Sequence, residues 1–447
     1  MCLKNVKLMI SFLDKFIIER RGIWSNGLVR EKVIFDLFKD YFINVDIDVL
    51  KKSQYWDLDL LKEIQLYRLK RVVKLAYEKS AFWRGHFESC GFNPAVFKSL
   101  SDFNMIKPVT KKLLKDNHLS SINNDIKLSD CFMEKTSGSS GTPFGFYIDR
   151  GHILRSFGFC QRMFDWAGFQ SGDLVVRFWI RHREGFSRNH FVISSSYPEE
   201  MAGSLEKLIE LGEGRKLLLF SFGSALLRLA RLVQDRNIRL NLRSVICSGE
   251  ALSIGEKKFI EEILECRIFN CYACRDVGWL AQECKAGNLH INPEWAHIEI
   301  VGGRIVVTTF DNEVMPFIRY DTGDFGRILN EKCGCGRALP LLEFRGRETE
   351  TLNLSDGRKI NFLEFTSLFD GWFRKIDAFQ IIQESFDTIR VNLVAKNLDS
   401  ADENLLSLEI KNFLGDKIKT SFNYLNSIDE IPIIGGKRKT FISKMPL

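Results

Sequence analysis

The chain has 447 residues, more than one ordinary hydrophobic core accommodates, so its length predicts two or more domains. Hydrophobic residues make up 45% and charged residues 27%, as in globular proteins, and the formal net charge is +7. The basic residues are scattered rather than clustered, which argues against a nucleic-acid partner.

Targeting signals are not evident in the sequence. Lys7, Asp14 and Lys15 interrupt the apolar runs of the first twenty residues, and no later stretch approaches 18 uninterrupted apolar residues, so we expect neither a signal peptide nor a membrane span. The eleven cysteines are odd in number and unevenly spaced, which predicts reduced thiols rather than a disulfide framework. We therefore expect a cytoplasmic protein.

The N-terminal part of the chain is mainly helical in pattern. The first 50 residues are amphipathic and rich in phenylalanine, and they contain no motif. From residue 58 to 77 apolar residues recur at helical spacing, which predicts a helix that faces the core. Thr110 is a suitable N-cap for a further short helix. The lysines that follow it are expected to form a solvated face of this helix: Lys111, Lys112 and Lys115.

Beyond residue 150 the predicted helices and strands alternate. Helices are predicted around 151–167 and 221–236. Short apolar runs predict strands at 174–179, 244–247, 268–272 and 304–310. This alternation predicts an α/β architecture for the larger part of the molecule.

The last hundred residues have a different pattern. Residues 375–383 and 388–394 are predicted to form paired strands. Ser400 and Glu403 match a capping box before an amphipathic helix, and a further strand is predicted over 420–425. Strands and a helix in this order predict a small α+β domain that begins near Glu350.

The most informative stretch is residues 136–145, which read TSGSSGTPFG. Its three glycines permit close approach of backbone N–H groups to an anion, and its five hydroxyl side chains add donors for phosphate oxygens. No lysine follows the last glycine, so this is not the loop of the P-loop NTPases, nor is it a GxGxxG fingerprint. A flexible Ser/Gly linker is the alternative interpretation.

Four further motifs follow this stretch in chain order. They are SGE at 248–250, YACRD at 272–276, YDTGD at 320–324 with RGR at 345–347, and GGKRK at 435–439. The first two follow predicted strands, at the edge where α/β sheets commonly bind ligands. Each motif alone is weak evidence for a ligand site, since an ordinary turn or a basic tail has the same composition. All of them in this order would rarely occur together by accident.

Together these motifs resemble those of the adenylate-forming superfamily, which includes acyl-CoA synthetases, peptide synthetase adenylation domains and luciferases. Within it the chain is most similar to the phenylacetate–coenzyme A ligase branch, including its CapK-like members from capsular polysaccharide loci. The resemblance runs from about Tyr55 to the end of the chain. It includes Gln65, Arg68 and Leu69, and the KPVTK segment at 107–111.

The resemblance implies a two-domain α/β protein. A large, multi-subdomain adenylate-forming N-terminal domain would span 1–349, with 1–50 as an extension atypical of the family. A small, mobile α+β C-terminal lid domain would span 350–447. Glu350 stands at the hinge, where the family commonly has Asp.

The resemblance also implies ATP as a substrate and AMP as a product. The β- and γ-phosphates would be held by Thr136, Ser137, Ser139 and Thr142. The adenine slot would be formed by Gly249, Glu250, Ala251 and Tyr272. Asp324 would accept hydrogen bonds from both ribose hydroxyls, with Arg347 beside the same sugar, and Lys437 would reach the α-phosphate as charge develops.

Some site positions depart from the family pattern. Asp276 stands where the family usually has a Glu that binds Mg²⁺, and Ala273 replaces a usual glycine. Asp can also bind Mg²⁺, so we expect Asp276 to act with Lys437 and Thr136 in catalysis. Phe222 lies where relatives carry a residue beside the acyl group, so it is expected to line the acyl pocket.

Cysteines and a histidine form a second cluster in the sequence. Cys284 and His290 flank a short turn, and Cys333 and Cys335 lie just beyond the YDTGD motif. Three sulfurs and one imidazole are a common ligand set for structural Zn²⁺. The alternative is that these cysteines are free thiols in turns. Packing alone gives little reason to find cysteines in polar, glycine-rich turns, which favours the metal site.

The leading functional hypothesis is an acid–thiol ligase that activates a small carboxylic acid. It would form an acyl-AMP with release of pyrophosphate and then transfer the acyl group to coenzyme A. One alternative acceptor is an amine or hydroxyl, for example on a sugar in surface polysaccharide biosynthesis. Another alternative is a zinc-stabilised, non-catalytic binding protein on the same fold. The sequence leaves open the identity of the acid and whether the chain forms a homodimer.

Overall fold

The computed structural model describes residues 42–136, 143–179, 185–187, 190–194, 198–396, 398–434 and 437–445. We call residues 42–347 the large lobe and residues 351–445 the C-terminal lobe. A 3-10 turn at Glu348–Glu350 joins the two lobes. Within the described ranges, no helix is both long enough and apolar enough to cross a membrane.

The helices have the following bounds: α1 (Phe42–Ser53), α2 (Leu58–Lys79), α3 (Ala81–Ser89), α4 (Leu100–Phe103), α5 (Lys111–Asp116), α6 (Arg150–Trp166), α7 (Pro198–Leu211), α8 (Gly223–Arg236), α9 (Ile254–Leu264), α10 (Phe362–Thr366) and α11 (Ser400–Leu414). The strands of the large lobe are β1 (Phe132–Lys135), β2 (Gly145–Ile148), β3 (Leu174–Trp179), β4 (Gly185–Ser187), β5 (His190–Ser194), β6 (Leu217–Ser221), β7 (Leu242–Ser248), β8 (Ile268–Cys274), β9 (Gly278–Glu283), β10 (Leu289–Ile291), β11 (Ala296–Val301), β12 (Arg304–Thr309), β13 (Tyr320–Leu329) and β14 (Leu341–Arg347). Those of the C-terminal lobe are β15 (Thr351–Asn353), β16 (Lys359–Asn361), β17 (Ile376–Ser385), β18 (Thr388–Ala395), β19 (Lys419–Tyr424), β20 (Ile433–Ile434), β21 (Lys437–Arg438) and β22 (Phe441–Ser443).

A twelve-stranded sheet runs through the large lobe in the order β11-β12-β13-β14-β10-β9-β8-β7-β6-β3-β5-β4. The neighbours β5, β3, β6, β7 and β8 pair in parallel. From β8 through β9, β10, β14 and β13 the neighbours pair antiparallel, and β8, β9 and β10 follow one another through short connections that leave no room for crossover helices. The parallel half confirms the predicted α/β architecture, whereas the antiparallel half was not foreseen.

The parallel strands are buried on both faces, as parallel sheets usually are. Val175 and Leu218 pack on the side of α6, while Val176 and Leu219 join the core cluster that includes α8 and α9. The carboxyl ends of these strands lead into the SGE and YACRD segments. The sheet therefore carries these motifs side by side at one edge, as the sequence predicted.

Most local predictions are confirmed. The helices predicted at 58–77, 151–167 and 221–236 correspond to α2, α6 and α8, and Thr110 accepts a hydrogen bond from the Leu113 N–H as the cap of α5. The capping box predicted at Ser400 and Glu403 is wrong by one residue. Asp399 has the extended backbone of a cap, and it pairs with Asp402 at the start of α11.

The C-terminal lobe contains a four-stranded sheet in the order β19-β18-β17-β22. These strands include the three that were predicted at 375–383, 388–394 and 420–425. The buried face of α11 packs on the sheet through Leu406, Ile410 and Leu414. The same core cluster continues into the large lobe, where Phe373 stacks on Phe259 of α9 with ring centroids 6.3 Å apart.

Candidate active site

The predicted phosphate-binding stretch connects β1 to β2, and the structure describes its two ends, Thr136 and residues 143–145. At its base, the Thr136 N–H donates to the Phe144 carbonyl at 2.9 Å, and the Phe144 N–H donates to Thr136 Oγ1 at 3.0 Å. The buried Thr136 hydroxyl thus helps to hold the two ends of this stretch together by accepting a hydrogen bond. The other predicted phosphate contacts lie outside the described residues: Ser137, Ser139 and Thr142.

An ion pair between Glu134 of β1 and Arg275 joins this turn to the YACRD segment. Asp276, the next residue, is 5% exposed, and the Tyr320 hydroxyl donates to its Oδ2 at 2.6 Å. The base of the hydroxyl-rich turn is therefore beside the corner where the YDTGD strand begins. Burial and the neighbouring carboxylate raise the pKa of Tyr320, so this hydroxyl stays protonated as a donor.

Lys111 lies in this site, although the sequence placed it on a solvated helix face. Its Nζ is 3.6 Å from Asp276 Oδ2. A parallel bridge between Val109 and Tyr320 brings the start of α5 against β13. Lys112 follows the expectation, since it is largely exposed. The Pro-x-x-Lys spacing at 108–111 was the one signal in the sequence that could have separated these two lysines.

Asp324 occupies the centre of the predicted ribose site. It is 2% exposed and accepts a hydrogen bond from the Tyr272 hydroxyl at 2.8 Å. Arg347 faces it across the β13–β14 pair, with Nε 3.2 Å from Asp324 Oδ1. Burial raises the pKa of Asp324, and the charge of Arg347 opposes that rise. The structure therefore brings these three predicted residues into direct contact.

A cavity of about 470 Å³ lies between the lobes next to Asp324. Predicted site residues of the large lobe line it, together with Glu350 of the joining turn: Gly249, Glu250, Ala251, Tyr272 and Arg347. The C-terminal lobe contributes Arg438, Lys439 and Thr440. The residues that follow Lys437 thus line the same cavity as parts of the SGE, YACRD and RGR motifs, whereas Thr136, Asp276 and Asp324 are not among its lining residues.

The wall of this cavity next to α8 is held by Glu250. One carboxylate oxygen accepts the Ser224 N–H at 2.7 Å, which caps the first turn of α8. Its side chain therefore has a structural contact in addition to the predicted role of its backbone. Phe222 immediately precedes α8, and its neighbours Gly223 and Ser224 line the cavity, but Phe222 itself is not among the lining residues.

Lys437 lies in β21, which pairs with β20 through Ile434. Its side chain is outside the described residues. The position of this strand is nevertheless fixed by its neighbours, because the Lys439 N–H donates to the Pro432 carbonyl at 2.7 Å. Gln380 of β17 also donates to the Lys439 carbonyl, at 2.6 Å.

The predicted metal ligands come together in a separate cluster at the end of β9, the start of β10 and the 333–335 turn. One possible ligand atom from each of Cys284, His290, Cys333 and Cys335 lies within 4.8 Å of the others. The sulfurs of Cys284 and Cys333 are 3.6 Å apart, and Cys335 Sγ is 3.3 Å from His290 Nε2. His290 Nδ1 is 3.0 Å from the Leu339 carbonyl, which turns Nε2 toward the cysteines.

Backbone and amide donors surround these sulfurs. The Ala286 N–H donates to Cys284 Sγ at 3.3 Å, and Asn288 Nδ2 donates to Cys333 Sγ at 3.2 Å. Burial opposes ionisation of Cys335, but hydrogen bonds from Arg337 outweigh it and lower the pKa of this thiol. Such donors stabilise thiolates, which are the form that binds a metal ion.

Comparison with known proteins agrees with this geometry. Residues 352–444 match the family profile described as the CapK C-terminal domain. A phenylacetate-coenzyme A ligase of Thermus thermophilus is 24% identical over 302 residues, which cover 62% of this chain and 68% of that protein. The solved structure of a 2-hydroxyisobutyryl-CoA ligase in the postadenylation state aligns with a TM-score of 0.75 at 20% identity, covering 88% of this chain and 93% of that one. This chain has the adenylate-forming ligase fold. The resemblance seen in its motifs is thereby confirmed, and its C-terminal lobe is similar to the CapK C-terminal domain.

The same 2-hydroxyisobutyryl-CoA ligase has also been solved in the thioesterification state, where the TM-score is 0.60 at the same 20% identity. That alignment covers 88% of this chain and 92% of the other. Sequence identity and coverage are therefore almost equal in the two alignments. The TM-score nevertheless differs between the two states of that one ligase. The overall arrangement of this chain is closer to the postadenylation structure.

Proposed function

We propose that this protein activates a carboxylic acid with ATP to form an acyl-AMP, and then transfers the acyl group to coenzyme A. The observation that carries the proposal is the shared cavity between the lobes, next to Asp324 and lined by Tyr272, Arg347 and the 438–440 segment. This is the arrangement expected of an enzyme that closes a small lobe over a nucleotide. The related phenylacetate-coenzyme A ligase supports the same activity.

The nucleoside part of ATP fits the polar end of this cavity. Asp324 offers two carboxylate oxygens, which suit the two ribose hydroxyls, and Arg347 balances its charge. Tyr272 is held by Asp324 on one side and packs against Phe344, with ring centroids 5.1 Å apart. Its ring is thus fixed in place as a wall for the adenine beside Gly249–Ala251.

The phosphates belong on the other side of this corner, near Asp276 and the hydroxyl-rich turn. The hydrogen bond from Tyr320 and the contact with Lys111 both involve Asp276 Oδ2. A carboxylate in this position suits Mg²⁺, which binds through one or two carboxylates together with substrate phosphates. Bound Mg²⁺ would balance phosphate charge, and Lys111 adds a positive charge at the same place.

In the proposed first step, a substrate carboxylate oxygen bonds to the α-phosphorus as the bond to pyrophosphate breaks. Negative charge on the transferring group is stabilised by positioned cations rather than by a covalent intermediate. We assign that task to Lys437, because the next residue of its strand, Arg438, lines the cavity together with Lys439 and Thr440. Thr136 and the hydroxyls that follow it are assigned to the β- and γ-phosphates.

In the proposed second step, the thiol of coenzyme A attacks the acyl carbon and AMP leaves. We place the hinge for the accompanying lobe rotation at Glu350, in the 3-10 turn between the lobes. The domain boundary would then fall at 349/350, with residues 1–50 as an extension. Phe222, at the start of α8, remains our candidate for a contact with the acyl group.

The Cys/His cluster fits structural Zn²⁺. Tetrahedral Zn–S bonds of about 2.3 Å separate two ligand sulfurs by about 3.8 Å, close to the 3.6 Å between Cys284 and Cys333. Four protein ligands leave no open position for catalysis, so the ion would tie the 284–290 turn to the 333–335 turn. Asn288 and Leu289 of the first turn line the cavity, so the ion would stiffen one of its walls.

A different acyl acceptor is the second candidate. The match to the CapK C-terminal domain lies in the lobe that would present the acceptor. That match does not specify the nucleophile, so an amine or a sugar hydroxyl is an alternative to the thiol of coenzyme A. Product analysis separates these possibilities, because coenzyme A gives a thioester and an amino sugar gives an amide.

Pyrophosphate exchange tests the proposal. The purified protein should incorporate labelled pyrophosphate into ATP in the presence of one acid from a panel of aromatic and aliphatic acids. Lys437→Ala should lower this rate by about a hundredfold or more, because a positioned charge is lost. Lys419→Ala, on the exposed edge strand β19 of the same lobe, is the matched control. Binding of ATP without exchange for any acid would exclude the proposed first step.

A further inference from the structure

We propose that Asp429 is a positioning residue that seats the strand of Lys437 against the large lobe through Arg228 of α8. The inference rests on the proposed function, because it concerns the arrangement in which the acyl-AMP forms. It adds a role for two residues that none of the sequence motifs includes.

The first observation is an ion pair across the two lobes. Arg228 Nη1 lies 2.9 Å from Asp429 Oδ1, and the side chains are 19% and 40% exposed. Arg228 belongs to α8, whose first turn is capped by Glu250 of the SGE motif. Asp429 belongs to the 3-10 turn Ile428–Glu430 of the C-terminal lobe. The pair therefore connects the helix beside the cavity to the lobe that carries Lys437.

The second observation is that the same carboxylate faces the strand of Lys437. Arg438 Nη2 lies 3.7 Å from Asp429 Oδ1, and the Arg438 side chain is 6% exposed. Arg438 Nη1 also donates to the Ile431 carbonyl at 3.0 Å and to the Ile428 carbonyl. The guanidinium next to Lys437 is thus fixed to the turn that contains Asp429.

That turn is itself rigid. The Asp429 N–H donates to the Ser427 hydroxyl at 3.2 Å, and the Ser427 N–H donates to Glu430 Oε1 at 3.1 Å, which completes a capping box. Arg438 also pairs with Ile433 in the short β20–β21 hairpin. A displacement of Asp429 relative to α8 would therefore displace β21 as well.

The Arg228–Asp429 ion pair is weak enough to form in one arrangement of the lobes and to break in another. Partly exposed ion pairs contribute little net stability, so rotation of the C-terminal lobe can break this one without a large barrier. The lobes here resemble the postadenylation structure more than the thioesterification structure of the same ligase. The Arg228–Asp429 pair is accordingly assigned to the first half-reaction.

The test measures the two half-reactions separately in the full chain. Arg228→Met and Asp429→Asn should each lower pyrophosphate exchange by about tenfold, and the double variant should be no slower than Asp429→Asn, because that single change already removes the contact with Arg228. Transfer from synthetic acyl-AMP to coenzyme A should stay within about twofold of the unmodified protein. Arg228→Lys should recover part of the exchange rate, since an ammonium still pairs with Asp429.

A matched control exists on the same helix. Asp235 of α8 pairs with Lys396 of the C-terminal lobe at 3.3 Å, and both side chains are 56% exposed. This pair joins the same lobes away from β21, so Asp235→Asn should leave both half-reactions unchanged. The thermal unfolding midpoint of each variant should stay within about 2 °C of the unmodified protein, because partly exposed pairs contribute little stability.

The outcomes separate this inference from the proposed function. Exchange in the unmodified protein with an equal rate in Arg228→Met overturns the positioning role and leaves the function intact. An equal loss in both half-reactions, or an additive double variant, also overturns it. Absence of exchange in the unmodified protein overturns both.

Discussion

Side chains in the site are held by contacts from distant parts of the sequence. Asp276 is held by Tyr320 of β13 and lies next to Lys111 of α5, and neither contact follows from the YACRD motif itself. Both contacts are made at Oδ2, and they come from segments that are distant from Asp276 in the sequence. Its position is therefore set by tertiary structure.

The charge of Asp276 should be needed for acyl-AMP formation. Asp276→Asn retains the shape of the side chain but removes the negative charge that Mg²⁺ requires. We expect pyrophosphate exchange to fall by about a hundredfold and the Mg²⁺ concentration for half-maximal rate to rise. Asp416→Asn, at a side chain that is 88% exposed, should change neither. An unchanged Mg²⁺ dependence in Asp276→Asn would remove this carboxylate from the metal site.

Glu256 should make the stability of the protein depend on pH. Burial, together with the Glu250 and Asp370 carboxylates, raises the pKa of Glu256 from 4.5 to about 7. A raised pKa means that the folded chain binds the extra proton, so stability is lost as the pH rises from about 4.5 through 7. Glu256→Gln should therefore stabilise the protein by about 1–2 kcal/mol at pH 8 and have little effect at pH 4.

Urea unfolding at several pH values measures this effect. Glu262→Gln is the control, since Glu262 lies on the exposed face of the same helix, where it pairs with Arg374. The control should shift stability by only a few tenths of a kcal/mol at pH 8. A destabilised Glu256→Gln at pH 8 would contradict the raised pKa of this carboxyl.

Site residues that lie within motifs were predicted from the sequence more successfully than residues outside the motifs that contact them. Asp324, Arg347 and Tyr272 were assigned together, and they are in hydrogen-bond or ion-pair contact. Lys111 was missed because periodicity describes only the helix on which a residue lies. Its approach to Asp276 depends on the bridge between Val109 and Tyr320, which joins distant segments.

At the level of single elements, the turn between β8 and β9 is unusually tight. Gly278 has a φ of +77°, and a Cβ there would lie 2.3 Å from a ring carbon of Trp295. Trp295 is buried and donates to the Val277 carbonyl at 2.6 Å, so it cannot move aside. Because Asp276 lies two residues earlier, this turn determines where its carboxylate is placed.

Gly278→Ala should destabilise the protein by about 2–4 kcal/mol, which combines the cost of a positive φ with a clash in the core. Gly302→Ala is the control, because Gly302 also has a positive φ of +58° but nothing lies within 4 Å of the added carbon. The control should cost only about 1 kcal/mol. Equal losses in urea unfolding would show that Trp295 yields to the methyl group.

The Cys/His cluster should bind about one Zn²⁺ per chain. Cys335→Ser should abolish binding and lower the thermal unfolding midpoint, since the metal stabilises only the folded chain. Cys131→Ser, a half-buried cysteine outside the cluster, should retain the metal. Elemental analysis by mass spectrometry measures the content, and a metal-free protein purified with Zn²⁺ present would contradict the assignment.

These ligands were predicted from residue type, because cysteines in glycine turns have few other uses. The donors to their sulfurs, such as Asn288 and the Ala286 N–H, were not predicted, since they depend on how each turn closes. The capping box of α11 differs by one residue for a similar reason. Asp399 rather than Ser400 has the extended backbone of a cap, a property that the sequence pattern does not specify.

Over the whole molecule, the two lobes share one core cluster and several ion pairs. Arg231 of α8 donates to the Ile376 carbonyl at 2.8 Å and lies 3.3 Å from Asp377 of the C-terminal lobe. These contacts hold the start of β17 against α8. The order of motifs predicted the fold, whereas the contacts between the lobes involve residues outside the motifs and could not be predicted from them.

The central claim is that these motifs surround one nucleotide and transfer its AMP group to a carboxylate. The most direct measurement is the mass of the products after incubation with ATP, Mg²⁺ and a pool of acids, with coenzyme A withheld. We predict an acyl-AMP and pyrophosphate, both absent when the acids are omitted. Formation of ADP with an acyl phosphate, or no product despite bound ATP, would contradict the account.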